Sequence, residues 1–207
     1  MKKRGLTFFL SIFYVCSLLA ETNGDSLAEN LFKEGKAKFM IGDYVNALDK
    51  LRASLSLNSS NTEARLLKAT AEFNLKSYKE SEKDCELLLE ISPKAFLAWN
   101  MKACCEEKQD QFKKACTDFD KCLQLNPNYT EAWLNKGALE LRLKRYDKAI
   151  TDFTELLKIQ PHCENAYYLR GKARYESGDQ AGACADWKNI EDPDEFENLE
   201  SLILICK

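Results

Sequence analysis

The chain has 207 residues, 30% of them charged and 45% hydrophobic, with a formal net charge of −3. That mild acidity excludes a general nucleic-acid binder, which needs a basic stripe, and the composition is that of a soluble helical protein. Nine cysteines are more than a reducing compartment leads one to expect, and they point toward an oxidising one.

Residues 1–20 read as a signal peptide. Lys2, Lys3 and Arg4 give a positive start, and Leu6 to Ala20 is an uncharged apolar run of 15 residues. That is short of the roughly 20 a membrane span requires. Cleavage fits after Ala20 or Gly24; an uncleaved amino-terminal anchor is the alternative, and it would be the only link to a membrane. Val15 is too large to precede a lipidated Cys16. Losing residues 1–20 removes three cations and no acid, which takes the charge from −3 to −6. Residues 21–27 are a polar linker in which Asp25 or Ser26 can cap the first helix.

From residue 28 the chain repeats itself every 34 residues. Small residues recur at Gly35, Ala69, Ala103, Gly137 and Gly171, and large ones nearby at Leu31, Arg65, Trp99, Trp133 and Tyr167. An aromatic column follows (Tyr44, Tyr78, Phe112, Tyr146), lapsing at Gln180. Next come Ala47, Ser81, Ala115, Ala149 and Ala183, then Leu51, Cys85, Phe119, Phe153 and Trp187. Pro93, Pro127 and Pro161 close three units, and Ser59 stands in that place in the first. Small residues on two successive helices let them approach closely, and the large neighbours fill the groove between them. The prolines stop the second helix of a pair, because proline lacks an N–H and clashes with the preceding turn.

This order of large and small residues resembles the tetratricopeptide repeat, a helix-turn-helix unit. The resemblance implies an all-α fold: a right-handed superhelical solenoid of five units (28–61, 62–95, 96–129, 130–163 and 164–192) with a capping helix over 193–207. Gly178 to Trp187, with Leu202 to Cys206 after it, also resembles the ending of secreted Gram-negative members of the family.

Residues that could carry chemistry are few. His162 is the only histidine and follows Pro161 in an inter-repeat turn; no serine or cysteine has an activating context, and there is no phosphate-binding glycine loop. No catalytic residue, metal or cofactor is expected. Cys104, Cys105, Cys116 and Cys122 crowd into the third unit, but without a C-x-x-C pair. Cys122 occupies a core column, and the rest are open to disulfides or packed thiols. Asn58-Ser59-Ser60 and Asn128-Tyr129-Thr130 match the glycan acceptor pattern, which matters in a eukaryotic secretory pathway. Cys184 and Cys206 are a disulfide candidate. They stand 9 and 13 residues from Pro193, or roughly 14 and 20 Å along helices. A tilted crossing or a later turn must absorb part of that mismatch, since a bridge needs Cα atoms within about 7 Å.

In the family the first helix of each unit lines the concave side, so the i, i+4, i+7 stripe of each first helix is the expected groove. Here it presents Phe32, Lys36 and Phe39; Leu66 and Phe73 around Thr70; Asn100, with Cys104 and Glu107; Leu134 and Leu141 around Ala138; and Tyr168, Lys172 and Tyr175. Several are large and apolar where a solvated groove would be polar, which marks a partner site. The family's carboxylate clamp for acidic peptide termini is absent: no register supplies its cationic pairs. The resulting expectation is a non-catalytic, exported scaffold that holds a peptide or helix of a protein partner in its groove. The alternatives are a structural subunit of an envelope assembly and a protein like the endoplasmic-reticulum co-chaperones of the family.

Overall fold

The computed structural model describes residues 24–192 together with Phe196, Leu199, Leu204 and Cys206; the signal-peptide reading of residues 1–20 lies outside the described residues. Every regular element among them is a helix. Helix α1 covers residues 24–40, followed by α2 (Tyr44–Leu57), α3 (Thr62–Asn74), α4 (Tyr78–Ile91), α5 (Phe96–Lys108) and α6 (Phe112–Leu125). Then come α7 (Thr130–Arg142), α8 (Tyr146–Ile159), α9 (Glu164–Ser177) and α10 (Gln180–Trp187). Residues 24–27, expected in a linker, are already helical, so Asp25 and Ser26 sit inside the first turn and do not cap it. No described helix is long and apolar enough to cross a membrane.

The helices fall into two compact units, one up to Pro93 and one from Lys94. In the first, Phe32, Ala47, Leu51 and Ala64 form the buried cluster, and the Ser54 hydroxyl donates to the Ala28 carbonyl at 2.8 Å. In the second, Phe119, Cys122, Leu123, Ala132 and Leu139 are buried with Ala103 and Ala115. Phe153 packs with Ala149 and Ala173, and Trp187 with Ala183, Ile190 and Leu199.

The repeat columns act as their sizes dictate. A Cβ added to Gly35 would meet Leu51 at 2.9 Å, and one added to Gly137 would meet the Phe153 ring at 2.7 Å. One added to Gly171 would meet Trp187 closer still. Helices α4, α6 and α8 end two residues before Pro93, Pro127 and Pro161. Helix α2 ends at Leu57, the equivalent place, without a proline: Asn58 turns the chain, and the Asn61 carboxamide caps α3 by accepting from the Ala64 amide at 2.9 Å. Each pair is joined through a residue with positive φ at the same 34-residue interval: Gly42, Lys76, Asp110, Lys144 and Gly178.

Most of the expected capping helix lies outside the described residues, but its anchors do not. Leu199 is fully buried in the Trp187 cluster, with Phe196 and Cys206 packed against it. Cys184 and Cys206 are bridged, their Cα atoms 5.6 Å apart. The chain leaves α10 at Lys188 rather than at Pro193, earlier than expected. Cys104, Cys116, Cys122 and Cys163 are free thiols.

Candidate interaction surfaces

The residues expected to line the groove have different surroundings. In the first unit Phe32 is only 7% exposed and sits in the core against Leu51 and Ala64, so its ring is not free to meet a partner. Phe39 and Phe73 are half-buried, each edge-to-face on the tyrosine that opens the next helix, Tyr44 at 5.4 Å and Tyr78 at 5.3 Å. Leu66 is half-buried. Lys36 is exposed, 5.8 Å from the centre of the Phe32 ring and ion-paired with Glu63 at 2.7 Å.

In the second unit the first helices α5, α7 and α9 lie side by side. Asn100 is 8% exposed. Leu134 packs against Leu156, Leu157 and Ala166, and Leu141 against the Phe153 cluster. Tyr168 stacks on Phe196 with ring centres 4.9 Å apart, so the carboxyl-terminal segment covers it. Lys172 and Tyr175 remain exposed. Phe32, Asn100, Leu134 and Tyr168 are each the first residue of their stripe. Phe32 and Leu134 turn toward the first helix of the next repeat, where Ala64 and Ala166 stand. The face that stays open is shifted round the helix. The Asn135 carboxamide donates to the Cys104 sulfur at 3.6 Å, and Arg142 pairs with Glu107 at 3.1 Å.

A second pattern was not singled out from the sequence, although its signal is there. Lys68, Lys102, Lys136 and Arg170 stand 34 residues apart, and so do Asp84, Asp118, Asp152 and Asp186. The structure brings each cation onto its acid across a helix pair. Lys68 pairs with Asp84, Lys102 with Asp118 at 2.6 Å, Lys136 with Asp152 at 2.9 Å and Arg170 with Asp186 at 2.6 Å. A third column adds Glu72, which takes Lys68 at 2.8 Å, and Glu106, which takes Lys102 at 2.8 Å. In the first repeat the charges are reversed, Glu34 pairing with Lys50 at 2.6 Å. Burial alone would depress the Lys102 ammonium, but hydrogen bonds to Asp118 and Glu106 outweigh it and hold the pKa above its ordinary value. Burial pushes the Asp152 carboxyl up to about 6 against the opposing pull of Lys136.

Three of the thiols are poor nucleophiles. Burial raises Cys104 to about 12, Cys116 to about 11 and Cys122 to about 12, leaving almost no thiolate at neutral pH. Among the described residues no group of histidines, cysteines or acids is arranged to hold a metal ion.

Tetratricopeptide-repeat family profiles match residues 32–96, 96–129 and 130–163. No curated protein is similar enough in sequence to match. Among solved structures the chain is similar to MamA 41-end from Desulfovibrio magneticus RS-1, at 16% identity and a TM-score of 0.72, covering 85% of this chain and 94% of that one. It is similar to YrrB, described as a TPR protein with an unusual peptide-binding site, at 19% identity and a TM-score of 0.66, covering 85% and 89%. The first TPR of Spaghetti (RPAP3), bound to the HSP90 peptide SRMEEVD, matches at 24% identity and a TM-score of 0.55, covering 57% of this chain and 94% of that one.

Proposed function

Since the chain belongs to the tetratricopeptide repeat family, we propose that it is a non-catalytic, exported scaffold that holds a peptide or helix of a protein partner on its first-helix face. The observation that carries this reading is the open part of that face in the second unit. On those adjacent helices lie the exposed cations Arg142 and Lys172, the half-buried Asn135, and an aromatic ring, Tyr175, which is 37% exposed. Such a mixture of a half-exposed ring and fixed hydrogen-bonding groups suits an extended or helical peptide. Two relatives in fold, YrrB and the RPAP3 repeat, are described with peptide-binding sites, which supports the mode of binding. The ligand differs from the acidic HSP90 tail, because the cationic clamp pairs are missing from this sequence.

Export rests on the charged start, the apolar run of residues 6–20 and the cysteine content, and the Cys184–Cys206 bridge agrees with it. Affinity capture with photo-crosslinkers at Ala138 and Lys172 tests the binding face. A partner should crosslink at both sites and be lost in Ala138→Arg with Tyr175→Ala, while crosslinks confined to second helices would refute the reading. Amino-terminal sequencing from the native host tests export, and Met1 retained in a cytosolic form would sink it.

A further inference from the structure

Two adjacent turns of the second unit carry charge of one sign. Around the junction of α5 and α6, residues 108–114 hold Lys108, Lys113 and Lys114 against Asp110. Around the junction of α7 and α8, residues 144–148 hold Lys144, Arg145 and Lys148 against Asp147. All eight are exposed. Six cations against two acids is an excess of four positive charges, in a chain whose net charge is −3. The two junctions are neighbours. Arg142, at the end of α7, pairs with Glu107 of α5 at 3.1 Å and lies over the Phe112 ring of α6 at 4.7 Å, and Lys113, Arg145 and Lys148 line one cleft.

The acids within reach are already engaged. Glu140 takes Arg145 at 3.1 Å and Lys148 at 4.0 Å, and Asp120 and Asp152 both take Lys136 at 2.9 Å. With these included the surface is still net positive. Among the described residues, the ion pairs include none of Lys108, Lys113, Lys114 and Lys144. One repeat further on, the α9–α10 turn carries Glu176 and Asp179, so the basic edge ends there.

The same chain carries the opposite charge elsewhere. Residues 191–200 hold six acids (Glu191, Asp192, Asp194, Glu195, Glu197 and Glu200) and no cation. Described residues on and around this stretch are tied to the last repeat. The Glu191 amide donates to Glu164 at the start of α9, Phe196 stacks on Tyr168, Leu199 is buried with Trp187, and Cys206 is bridged to Cys184. The basic edge belongs to the third and fourth repeats and lies at the far ends of their first helices, roughly 20 Å from the end at which α9 begins. The acids that match it therefore come from another molecule.

We propose that this basic edge docks a second copy of the chain, which lays its acidic residues 191–200 along it, and that a two-fold axis makes the same contact twice. Opposite potentials on separate surfaces of one molecule steer copies together and fix their register, and a closed two-fold pair satisfies both patches of both copies. Exposed ion pairs are individually weak, so the pair is held by their number and is sensitive to salt. The edge lies at the helix ends and does not depend on the peptide-binding reading.

Sedimentation velocity of the purified chain, run over a range of protein concentrations, tests this. A dimer should form at low salt with a Kd on the order of 10–100 μM, and weaken at least about tenfold between about 0.05 and 0.5 M salt. Two charge reversals, each checked for fold by circular dichroism, locate the contact. Lys108→Glu with Lys113→Glu and Lys144→Glu reverses the edge, and Asp194→Lys with Glu195→Lys and Glu197→Lys reverses the stretch. Each variant alone should be monomeric, and the two mixed in equal amounts should pair again, because each then offers what the other lacks. A monomeric parent at low salt, association indifferent to salt, a reversed variant that still dimerises, or folded variants that fail to pair when mixed would each overturn the proposal. So would a monomer that uses the edge to bind phosphatidylglycerol vesicles, which would assign it to a lipid surface.

Discussion

Gly171→Ala is the sharpest test of how the helix pairs are fitted. The added Cβ would lie 2.7 Å from Trp187 Cδ1 and 2.8 Å from Cε2, with the indole nitrogen closer still. Trp187 is 1% exposed and donates through that nitrogen to the Tyr168 carbonyl at 3.3 Å, so the ring cannot move without strain and a weakened hydrogen bond. Overpacking of this kind costs about 1–3 kcal/mol, and the hydrogen bond adds about 0.5–1.5 kcal/mol. Alanine returns about 1 kcal/mol of helix propensity, which leaves a net loss of about 2 kcal/mol. The third repeat supplies the control, because there Ala103 sits in the same column and Phe119 in the column of Trp187. In a Trp187→Phe background the Gly171→Ala change should therefore cost less than about 0.5 kcal/mol, a coupling of at least about 1 kcal/mol. Urea melts of the four proteins, followed by circular dichroism, measure the cycle. A Gly171→Ala protein as stable as the parent, or a coupling of zero, would refute the fitted-pair account.

Leu134→Ala should cost about 2–3 kcal/mol, because Leu134 packs against Leu156, Leu157 and Ala166; a loss below about 0.5 kcal/mol in the same melts would mean it faces open solvent. Lys144→Gly should stabilise by about 0.5 kcal/mol: relief of a non-glycine residue at φ 59° is worth about 1–2 kcal/mol, partly offset by the freer unfolded chain. Cys206→Ser opens a loop between residues 22 apart and should cost about 3 kcal/mol in the chain-entropy picture, read as faster amide exchange in α9 and α10. Asp152, raised from 3.8 to about 6 chiefly by burial, binds a proton more readily folded than unfolded. The free energy of unfolding should accordingly fall as pH rises from about 4 to 6 and level off above, by up to roughly 3 kcal/mol. Asp152→Asn should lack that slope.

The packing of the helix pairs was legible because contact between two close helices demands complementary size at fixed positions. Gly171 against Trp187, Gly137 against Phe153 and Gly35 against Leu51 are all visible as columns. The left-handed junctions were harder to see, because Lys76 and Lys144 are residues that rarely take positive φ and Asp110 takes it less readily than glycine. Their geometry is imposed by the pairs they join, not by their own preference. The groove stripe went partly astray for a directional reason. A 34-residue column says which positions are equivalent and leaves open which way each one points. Phe32 and Leu134 start the expected stripe but turn toward the next repeat, while Lys36, Lys172 and Tyr175 stay exposed.

The charged columns were missed because one repeat at a time they look like a solvated helix surface, where acids and lysines need no explanation. Only their register shows otherwise, and the structure gives it a physical sense. Buried ion pairs return little net stability once both ions are desolvated, so the repetition of Lys68–Asp84, Lys102–Asp118, Lys136–Asp152 and Arg170–Asp186 is a weak source of folding energy. What constrains partners is the one reversal of that order, in the first repeat. In the first unit α1 carries Glu34 and its own partner α2 carries Lys50, 2.6 Å apart, whereas α3 carries Lys68 and α4 carries Asp84. Pairing α1 with α4 would set Glu34 against Asp84, and pairing α3 with α2 would set Lys68 against Lys50, each a like-charge contact in place of an ion pair, although Glu34 and Lys50 themselves are largely exposed. Helices that repeat the same sizes could otherwise exchange partners at little cost, and the reversed charges of the first repeat disfavour that exchange where the size columns alone do not.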